Sequence, residues 1–243
     1  MVPIQKRGTY TDVGTNNSRH ITYIKYMIKM KKTGLLLIGL TIAILTNGQT
    51  LKIQTGTTLS KLDWQIGSLD LSPYNETLIG YSVFTGIDYL DNKHFNLSSN
   101  FGFIQKGGKG TITFTTETGE PVDKKTEKAK LDYITVNTTF DLKYPIKDKI
   151  IPFISVGPRF DYLVSYSSEF DGLNDIDALK KYNLGLILGG GIKYDLSKIQ
   201  IGLRADYYLN FNKVADWPAQ TGNLGGKVND KTMTLNLTIG YKL

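Results

Sequence analysis

Residues 233–243 read MTLNLTIGYKL. Every second residue of this segment, from Met233 to Leu243, is large and apolar, and the residues between them are Thr, Asn, Gly and Lys. Successive side chains of a β-strand point to opposite faces of the sheet. The segment therefore predicts a strand with one apolar and one polar face, and its length is about that of a tilted strand that crosses a bilayer.

The same alternation recurs upstream, and no stretch after residue 50 shows a sustained helical period. Outer-membrane barrels combine such strands with short periplasmic turns and long outer loops. The sequence therefore predicts an all-β fold, an eight-stranded antiparallel up-and-down transmembrane β-barrel. The strands are expected at about 51–59, 80–89, 95–104, 133–144, 153–166, 183–194, 199–211 and 233–243. Long loops are expected near 61–78, 105–130, 167–182 and 212–231, and short turns near 90–94, 145–150 and 195–198.

A soluble β-sandwich or lipocalin-like barrel is the competing interpretation of this alternation. In those folds the apolar face points inward, whereas in a membrane barrel it points outward to lipid. Alternation by itself does not separate the two. An export signal, the alternating connection lengths and the final strand favour the membrane barrel. We expect the barrel-assembly machinery to insert that final strand into the membrane. Its outward side chains would then face lipid; they are Leu237, Ile239, Tyr241 and Leu243.

The N-terminal region resembles a secretory signal peptide. Lys31 and Lys32 precede a run of about twelve mostly apolar residues, 34–45, which is too short to cross a bilayer as a helix. Small residues before Gln49 predict cleavage between Gly48 and Gln49. We therefore expect three segments: a mis-annotated or disordered extension at 1–29, a signal peptide at 30–48, and an outer-membrane β-barrel at 49–243.

Charge and cysteine content exclude several classes of protein. The formal net charge is +7, but residues 1–48 hold seven basic residues and one acid, which leaves 22 basic and 21 acidic residues in the barrel. A near-neutral barrel offers no basic patch for nucleic acid. The chain has no cysteine, so disulfides, thiolate metal sites and a cysteine nucleophile are excluded.

Two arginines, Arg159 and Arg204, are the only ones after residue 48, and each lies two residues before an aspartate on a polar strand face. Arginine suits a charge held by several hydrogen bonds away from bulk water. We predict an ionic network inside the barrel; the alternative is that lumen water solvates each charge. The predicted network comprises Arg159, Asp161, Arg204 and Asp206, with Asp88, Asp141 or Lys193 as further partners.

Several segments resemble the PorT-like outer-membrane β-barrel proteins. The most specific is PFISVGP at 152–158, which is similar to that family's P-x-x-x-x-G-P strand. Further matches lie at 56–62, 97–107, 189–191 and 239–243, and departures occur at Thr58, Asn100, Asn137 and Leu243. The resemblance implies an eight-stranded outer-membrane barrel and little chemistry, because most members have no assigned activity. One branch of the family is linked to protein secretion across the outer membrane.

Residues suited to catalysis or metal binding are sparse. His94 is the single histidine after residue 48 and falls in a predicted periplasmic turn, without the partners that a general base or a zinc site needs. The loop aspartates Asp171, Asp175 and Asp177 match no standard calcium loop. We therefore expect neither an enzyme nor a cofactor.

A lysine-rich stretch near residue 130 leaves two interpretations open. Acidic residues interleave with the lysines, so the stretch is either a site for anionic lipopolysaccharide or a mixed solvated loop. The lysines are Lys124, Lys125, Lys128 and Lys130, and the acids are Glu117, Glu120, Asp123 and Glu127.

The function predicted from these features is a structural or interaction role, with long extracellular loops presented to a partner and with possible assistance to envelope or secretion machinery. The alternative is a small passive outer-membrane channel; a lipid-acting enzyme is third. Expected partners are outer-membrane lipid and lipopolysaccharide, the barrel-assembly machinery and an unidentified envelope protein, with no nucleic acid. The expected location is the outer membrane of a Gram-negative bacterium. We also expect a lumen substitution, Gly185→Ser, to be tolerated far better than an outward charge, Leu186→Arg.

Overall fold

The computed structural model describes residues 49–70, 73–116, 118, 121–147, 149–219 and 224–243. The predicted extension and signal peptide lie outside the described residues, as does Gly48. Among the described residues, no helix is long and apolar enough to cross a membrane.

Within the described residues, ten antiparallel strands form one sheet that closes on itself. The strands are β1 (Thr50–Ile66), β2 (Leu69–Asp70), β3 (Leu78–Tyr89), β4 (Phe95–Thr115), β5 (Pro121–Lys143), β6 (Ile150–Tyr166), β7 (Tyr182–Leu196), β8 (Ile199–Asn210), β9 (Ala215–Trp217) and β10 (Gly226–Lys242). Eight of them form the ring in the order β1-β3-β4-β5-β6-β7-β8-β10, and β10 returns to pair with β1 along its whole length. The short strand β2 pairs with the last residues of β1, and the short strand β9 pairs with the first residues of β10. A 3-10 turn (Ser168–Phe170) and a short helix, α1 (Asp171–Asp175), connect β6 to β7.

The apolar faces of the strands point out of the ring and the polar faces point in. In β10, Leu235, Leu237 and Ile239 are about half exposed, whereas the intervening Asn236 and Thr238 are buried in the lumen. A soluble barrel would bury the first set and expose the second. The soluble interpretation is therefore wrong, and the eight-stranded membrane barrel predicted from the alternation is confirmed.

Strands extend further at the extracellular end than the alternation predicts. β4 and β5 stay paired from the Gly107–Lys130 pair to the Thr115–Pro121 pair, so the long loop expected at 105–130 is wrong and most of it is strand. β1 likewise continues to Ile66, and β10 already begins at Gly226. Outside the bilayer both strand faces meet water or protein, so the apolar-polar alternation disappears while backbone pairing continues.

Candidate functional site

The periplasmic half of the lumen holds a charged cluster, which we call the inner cluster. The Asp88 carboxylate accepts hydrogen bonds from Lys52 Nζ at 2.6 Å and from Lys193 Nζ at 3.0 Å. Lys193 Nζ also lies 4.0 Å from Asp141 Oδ2, and Arg204 Nη1 lies 3.6 Å from Asp141 Oδ1. All of these side chains are buried. The inner cluster comprises Lys52, Asp88, Asp141, Lys193, Arg204 and Asp206.

Arg204 is the most connected member of the inner cluster. Its Nε donates to both carboxylate oxygens of Asp206 at 2.8 Å, and its Nη2 donates to Ser155 Oγ at 2.7 Å. Its guanidinium carbon lies 5.7 Å from the centre of the Phe153 ring, beside Lys193 Nζ at 5.2 Å from the same ring. The planar fork of an arginine suits this combination of carboxylate, hydroxyl and ring contacts.

A second group, the outer cluster, lies nearer the extracellular end and comprises Lys106, Arg159, Asp161 and Asp230. The Asp161 carboxylate accepts hydrogen bonds from Arg159 Nη1 at 2.5 Å and from Lys106 Nζ at 2.8 Å. Lys106 Nζ also lies 3.3 Å from Asp230 Oδ2. Tyr208 lies against both cations, with its ring centre 4.7 Å from Arg159 Cζ and 5.3 Å from Lys106 Nζ.

Each cluster balances its own charge. The inner cluster pairs three cations with three carboxylates, and the outer cluster pairs two cations with two carboxylates. A buried charge without a partner is costly, so a narrow lumen favours balanced groups. The seven residues expected to form one network are divided between the two groups. Arg159 and Asp161 lie in the outer cluster, and the other five lie in the inner one.

Three members of these clusters, Lys52, Lys106 and Asp230, are absent from the predicted network. Lys106 and Asp230 lie just beyond the predicted strand ends, and Lys52 lies on the first strand, where the alternation is weakest. Every second residue of a strand points into the lumen, and each of these three residues falls at such a position. Lys106, for example, follows Gly102 and Ile104 on the inward face of β4. Continuing the inward positions of β4 and β10 past the predicted strand ends would have found Lys106 and Asp230, and Lys52 already lies at an inward position of the predicted first strand.

Little free space remains between the two clusters. A cavity there is lined by Gln54, Phe84, Asn100, Asn137, Ile187, Arg204, Asp206, Tyr208 and Asn236. Only about 10 Å³ of it is open to the centre of a water molecule, which is room for about one water. Asn100 Nδ2 donates to Asn137 Oδ1 at 2.8 Å across this level of the lumen. Side chains therefore fill this level of the lumen, as the eight strands allow.

An apolar cap closes the extracellular end above the outer cluster. The Trp64 ring stacks on Phe170 at a centroid distance of 5.9 Å and lies 6.0 Å from the ring of Tyr74. Burial, together with the nearby carboxylates of Glu127 and Glu169, raises the pKa of Tyr74. Strand ends and connecting segments both contribute to the cap. Its residues are Leu62, Trp64, Tyr74, Ala129, Leu131, Phe170, Leu173, Leu179, Val214, Ala215, Trp217 and Val228.

Glycines on β7 make room for these charges. A Cβ on Gly189 would lie 2.0 Å from Asp206 Oδ1, so a larger residue there would displace the partner of Arg204. A Cβ on Gly185 would lie 2.0 Å from the Leu209 carbonyl oxygen and 2.6 Å from Arg159 Nη2. The lumen is therefore crowded at Gly185, and the smaller cost expected for Gly185→Ser than for Leu186→Arg stays a prediction.

The remaining predicted residues take these positions. His94 lies in the β3–β4 turn, where its carbonyl accepts a hydrogen bond from Lys143 N at 2.7 Å. Gln49 accepts a backbone hydrogen bond from Leu243 at 2.9 Å. Within the described residues, no three His, Cys, Asp or Glu side chains are grouped so that they could hold a metal ion. The outward side chains of the last strand are about half exposed or more: Leu237, Ile239, Tyr241 and Leu243.

Comparison with known families identifies one match. The family model described as "Outer membrane protein beta-barrel domain" matches residues 24–216. No curated protein sequence matches the chain.

Solved outer-membrane barrels resemble the chain at low sequence identity. The attachment invasion locus protein Ail of Yersinia pestis is 13% identical, with a TM-score of 0.40 over 82% of this chain and 100% of that one. The N-terminal β-barrel domain of Pseudomonas aeruginosa OprF is 10% identical, with a TM-score of 0.41 over 81% and 100%. Outer membrane protein W of E. coli is 11% identical, with a TM-score of 0.39 over 82% and 100%.

Proposed function

The chain belongs to the outer-membrane protein β-barrel domain family and resides in the outer membrane of a Gram-negative bacterium, and on this premise we propose that it is a closed barrel with a structural or interaction role. The observation that carries the proposal is the filled lumen. Two balanced ionic clusters and an apolar cap occupy the path that a solute would take.

A closed lumen argues against the alternative of a passive channel. An aqueous pore needs a continuous column of water, whereas the described cavities of the lumen each have room for about one water molecule. Moving the clustered side chains aside would separate buried ion pairs, which costs several kcal/mol for each charge left unpaired. Under this proposal the barrel is not an enzyme, and its role is to present its extracellular surface to a partner.

The extracellular hairpins are the surfaces that the barrel presents. The β4–β5 hairpin is the longest, with pairing that continues to Thr115 and Pro121. Its partners under this proposal are lipopolysaccharide and an envelope protein. The barrel-assembly machinery acts earlier, when the chain is inserted.

We also propose that the chain is a PorT-like barrel, since the PFISVGP segment occupies β6 (Ile150–Tyr166) in the ring. The β5–β6 pairing is interrupted opposite Gly157 and Pro158, with the same register on both sides of the interruption, and a Cβ on Gly157 would lie 1.9 Å from the Thr138 carbonyl oxygen. The segment therefore has a structural reason to keep a glycine before its second proline. This assignment makes secretion machinery a candidate partner.

Single-channel recording in planar bilayers tests the closed lumen. The purified barrel should insert without producing steady current steps, because the clusters and the cap occlude the lumen. Insertion is verified on the same preparation by its heat-modifiable migration, since a closed barrel runs faster in unboiled than in boiled samples. Large, steady currents from the wild-type barrel would contradict the proposal and favour the channel.

Affinity capture from detergent-solubilised outer membrane tests the interaction role. The matched control is a barrel in which a short turn replaces residues 111–126, joining the cross-strand neighbours Gly110 and Glu127. A partner of the hairpin should be captured by the wild-type barrel and lost from the shortened one. Identical captured proteins from both barrels would argue against presentation by this hairpin.

A further inference from the structure

The β4–β5 hairpin continues above the lipid-facing part of the barrel as a two-stranded ribbon. Its outward face begins with the apolar pair Phe103–Ile134 and then changes to polar and basic residues. Ascending from the membrane, the cross-strand pairs of this face are Phe103–Ile134, Gln105–Asp132, Gly107–Lys130, Lys109–Lys128 and Thr111–Thr126, and Lys124 follows Thr126 on the same face. The face that contacts lipid is thus continuous with a basic face above it.

Strand alternation separates charges that are mixed in the sequence. Lys125 and Glu127 point to the opposite face, where they form an ion pair at 2.9 Å. Ala129, two residues after Glu127 on the same strand face, is fully buried in the cap. The other three lysines share the outward face with no acid between them. We call them the lysine face: Lys124, Lys128 and Lys130.

The lysine face is positively charged. Its three side chains are exposed, and none pairs with an acid in the described part of the chain. Lys109 adjoins them, but its Nζ lies 3.5 Å from Glu76. Asp132, the acid that this face carries next to Lys130, accepts a hydrogen bond from Gln105 at 2.9 Å.

The height of these lysines places them beside the outer leaflet. A strand rises about 3.3 Å per residue, so Lys130 and Lys128 lie about 13 and 20 Å beyond the lipid-facing Ile134 along the strand. Strands of such barrels tilt by about 40°, so Lys130 and Lys128 lie about 10 and 15 Å above Ile134 along the barrel axis. Lys124 lies about 33 Å along the same strand, above the leaflet surface.

We propose that the lysine face binds phosphate groups of lipopolysaccharide in the surrounding outer leaflet. Anionic headgroups attract basic residues held near a membrane surface, and these three point over the leaflet from the same strand face that contacts its acyl chains. The inference rests on the proposed interaction role, and it names lipopolysaccharide as the ligand of this hairpin.

A titration with lipopolysaccharide tests the site. The purified barrel is reconstituted in nanodiscs of neutral phosphatidylcholine, and binding of fluorescently labelled lipopolysaccharide is measured. The variant Lys124→Gln/Lys128→Gln/Lys130→Gln should bind at least about 25-fold more weakly, because each basic residue near an anionic surface contributes about fivefold to affinity and both Lys128 and Lys130 lie near the leaflet. The matched control, Lys125→Gln/Lys180→Gln/Lys181→Gln, removes the same charge from other extracellular positions and should bind like the wild type.

Two further measurements make the result decisive. Dephosphorylated lipopolysaccharide should bind wild type and variant alike, and added salt should reduce the difference for the native lipid by screening exposed charge. Equal loss in both triple variants, or undiminished binding of the dephosphorylated lipid, would overturn the site. If the lysine-face variant lost binding to a soluble acidic polysaccharide but kept its affinity for lipopolysaccharide, the ligand of the lysine face would not be lipopolysaccharide. Neither result depends on conductance, so failure here is distinct from failure of the closed-barrel proposal.

Discussion

Arg204 shows how a single side chain supports the filled lumen. It contacts Asp206, Asp141 and Ser155 within the inner cluster. Its removal leaves one more carboxylate than there are cations in that cluster. Removal of one partner from a buried ionic group is much more destabilising than removal of a matched pair.

We expect Arg204→Met to lower the free energy of unfolding by about 3–5 kcal/mol. The double variant Arg204→Met/Asp206→Asn restores the balance of charges and should lose less than the single variant. Urea unfolding of the barrel in lipid vesicles measures both. A double variant that is less stable than the single one would show that charge balance does not determine stability here.

Leu188 represents the outward side chains at the residue scale. It is 43% exposed, and it lies mid-strand in β7 between Val156 and Tyr207 of the neighbouring strands. Leu188→Arg should destabilise the barrel by about 2–4 kcal/mol, because a charge at the bilayer midplane is poorly solvated. The matched variant Leu196→Arg, at the periplasmic end of the same strand, should cost about 0–1 kcal/mol. Equal losses in vesicle unfolding would contradict the membrane placement of β7.

Among the elements, the segment that joins β6 to β7 contributes Phe170, Leu173 and Leu179 to the cap. Its 3-10 turn places Phe170 in the cap, where the ring is fully buried and stacks on Trp64. The chain's two tryptophans, Trp64 and Trp217, both belong to the cap. Tryptophan fluorescence therefore reports on this region of the barrel.

Phe170→Ala should loosen the cap at a cost of about 3–5 kcal/mol, the usual range for a buried phenylalanine. Tryptophan emission should shift to longer wavelength and become more accessible to acrylamide, while heat-modifiable migration persists. The control is Phe101→Ala, which truncates a lipid-facing ring that is 54% exposed and should leave the emission unchanged. Unchanged emission in Phe170→Ala would mean that Phe170 does not shield the tryptophans.

At the scale of the whole molecule, the seam between β1 and β10 closes the barrel. The seam pairs residues from Thr50–Lys242 to Ile66–Gly226 without interruption. Leu237 lies within it, opposite Thr55 of β1 and Leu203 of β8. Strands in the interior of a sheet do not tolerate proline at regularly paired positions, because it lacks the N–H that the ladder needs.

Leu237→Pro should therefore prevent closure of the barrel. Unboiled samples of this variant should migrate like boiled ones, and its level in the outer membrane should fall. Leu237→Val, which keeps the N–H and an apolar outward side chain, should migrate like the wild type. Normal heat-modifiable migration of the proline variant would show that the seam does not depend on this position.

The sequence by itself determined which way most side chains point. Period-two alternation is a local property of a strand, so it identified an all-β fold before any pairing was known. Together with the export signal and the connection lengths, it predicted a membrane barrel with Arg159 and Arg204 on the inward face. The outward row that ends at Leu243 followed from the same pattern. The two short strands and the extracellular extensions escaped it, because alternation signals a strand only where lipid lies on one side.

Only the tertiary structure decided which inward charges meet. Lys106 on β4 pairs with Asp161 on β6, 55 residues away, and with Asp230 on β10. Such contacts depend on barrel closure and on the stagger of the strands, which no local pattern contains. The same is true of the cap, which gathers apolar residues from distant segments, and of the lysine face. Interleaved charges separate into two faces only once backbone pairing holds residues 124–130 in a strand.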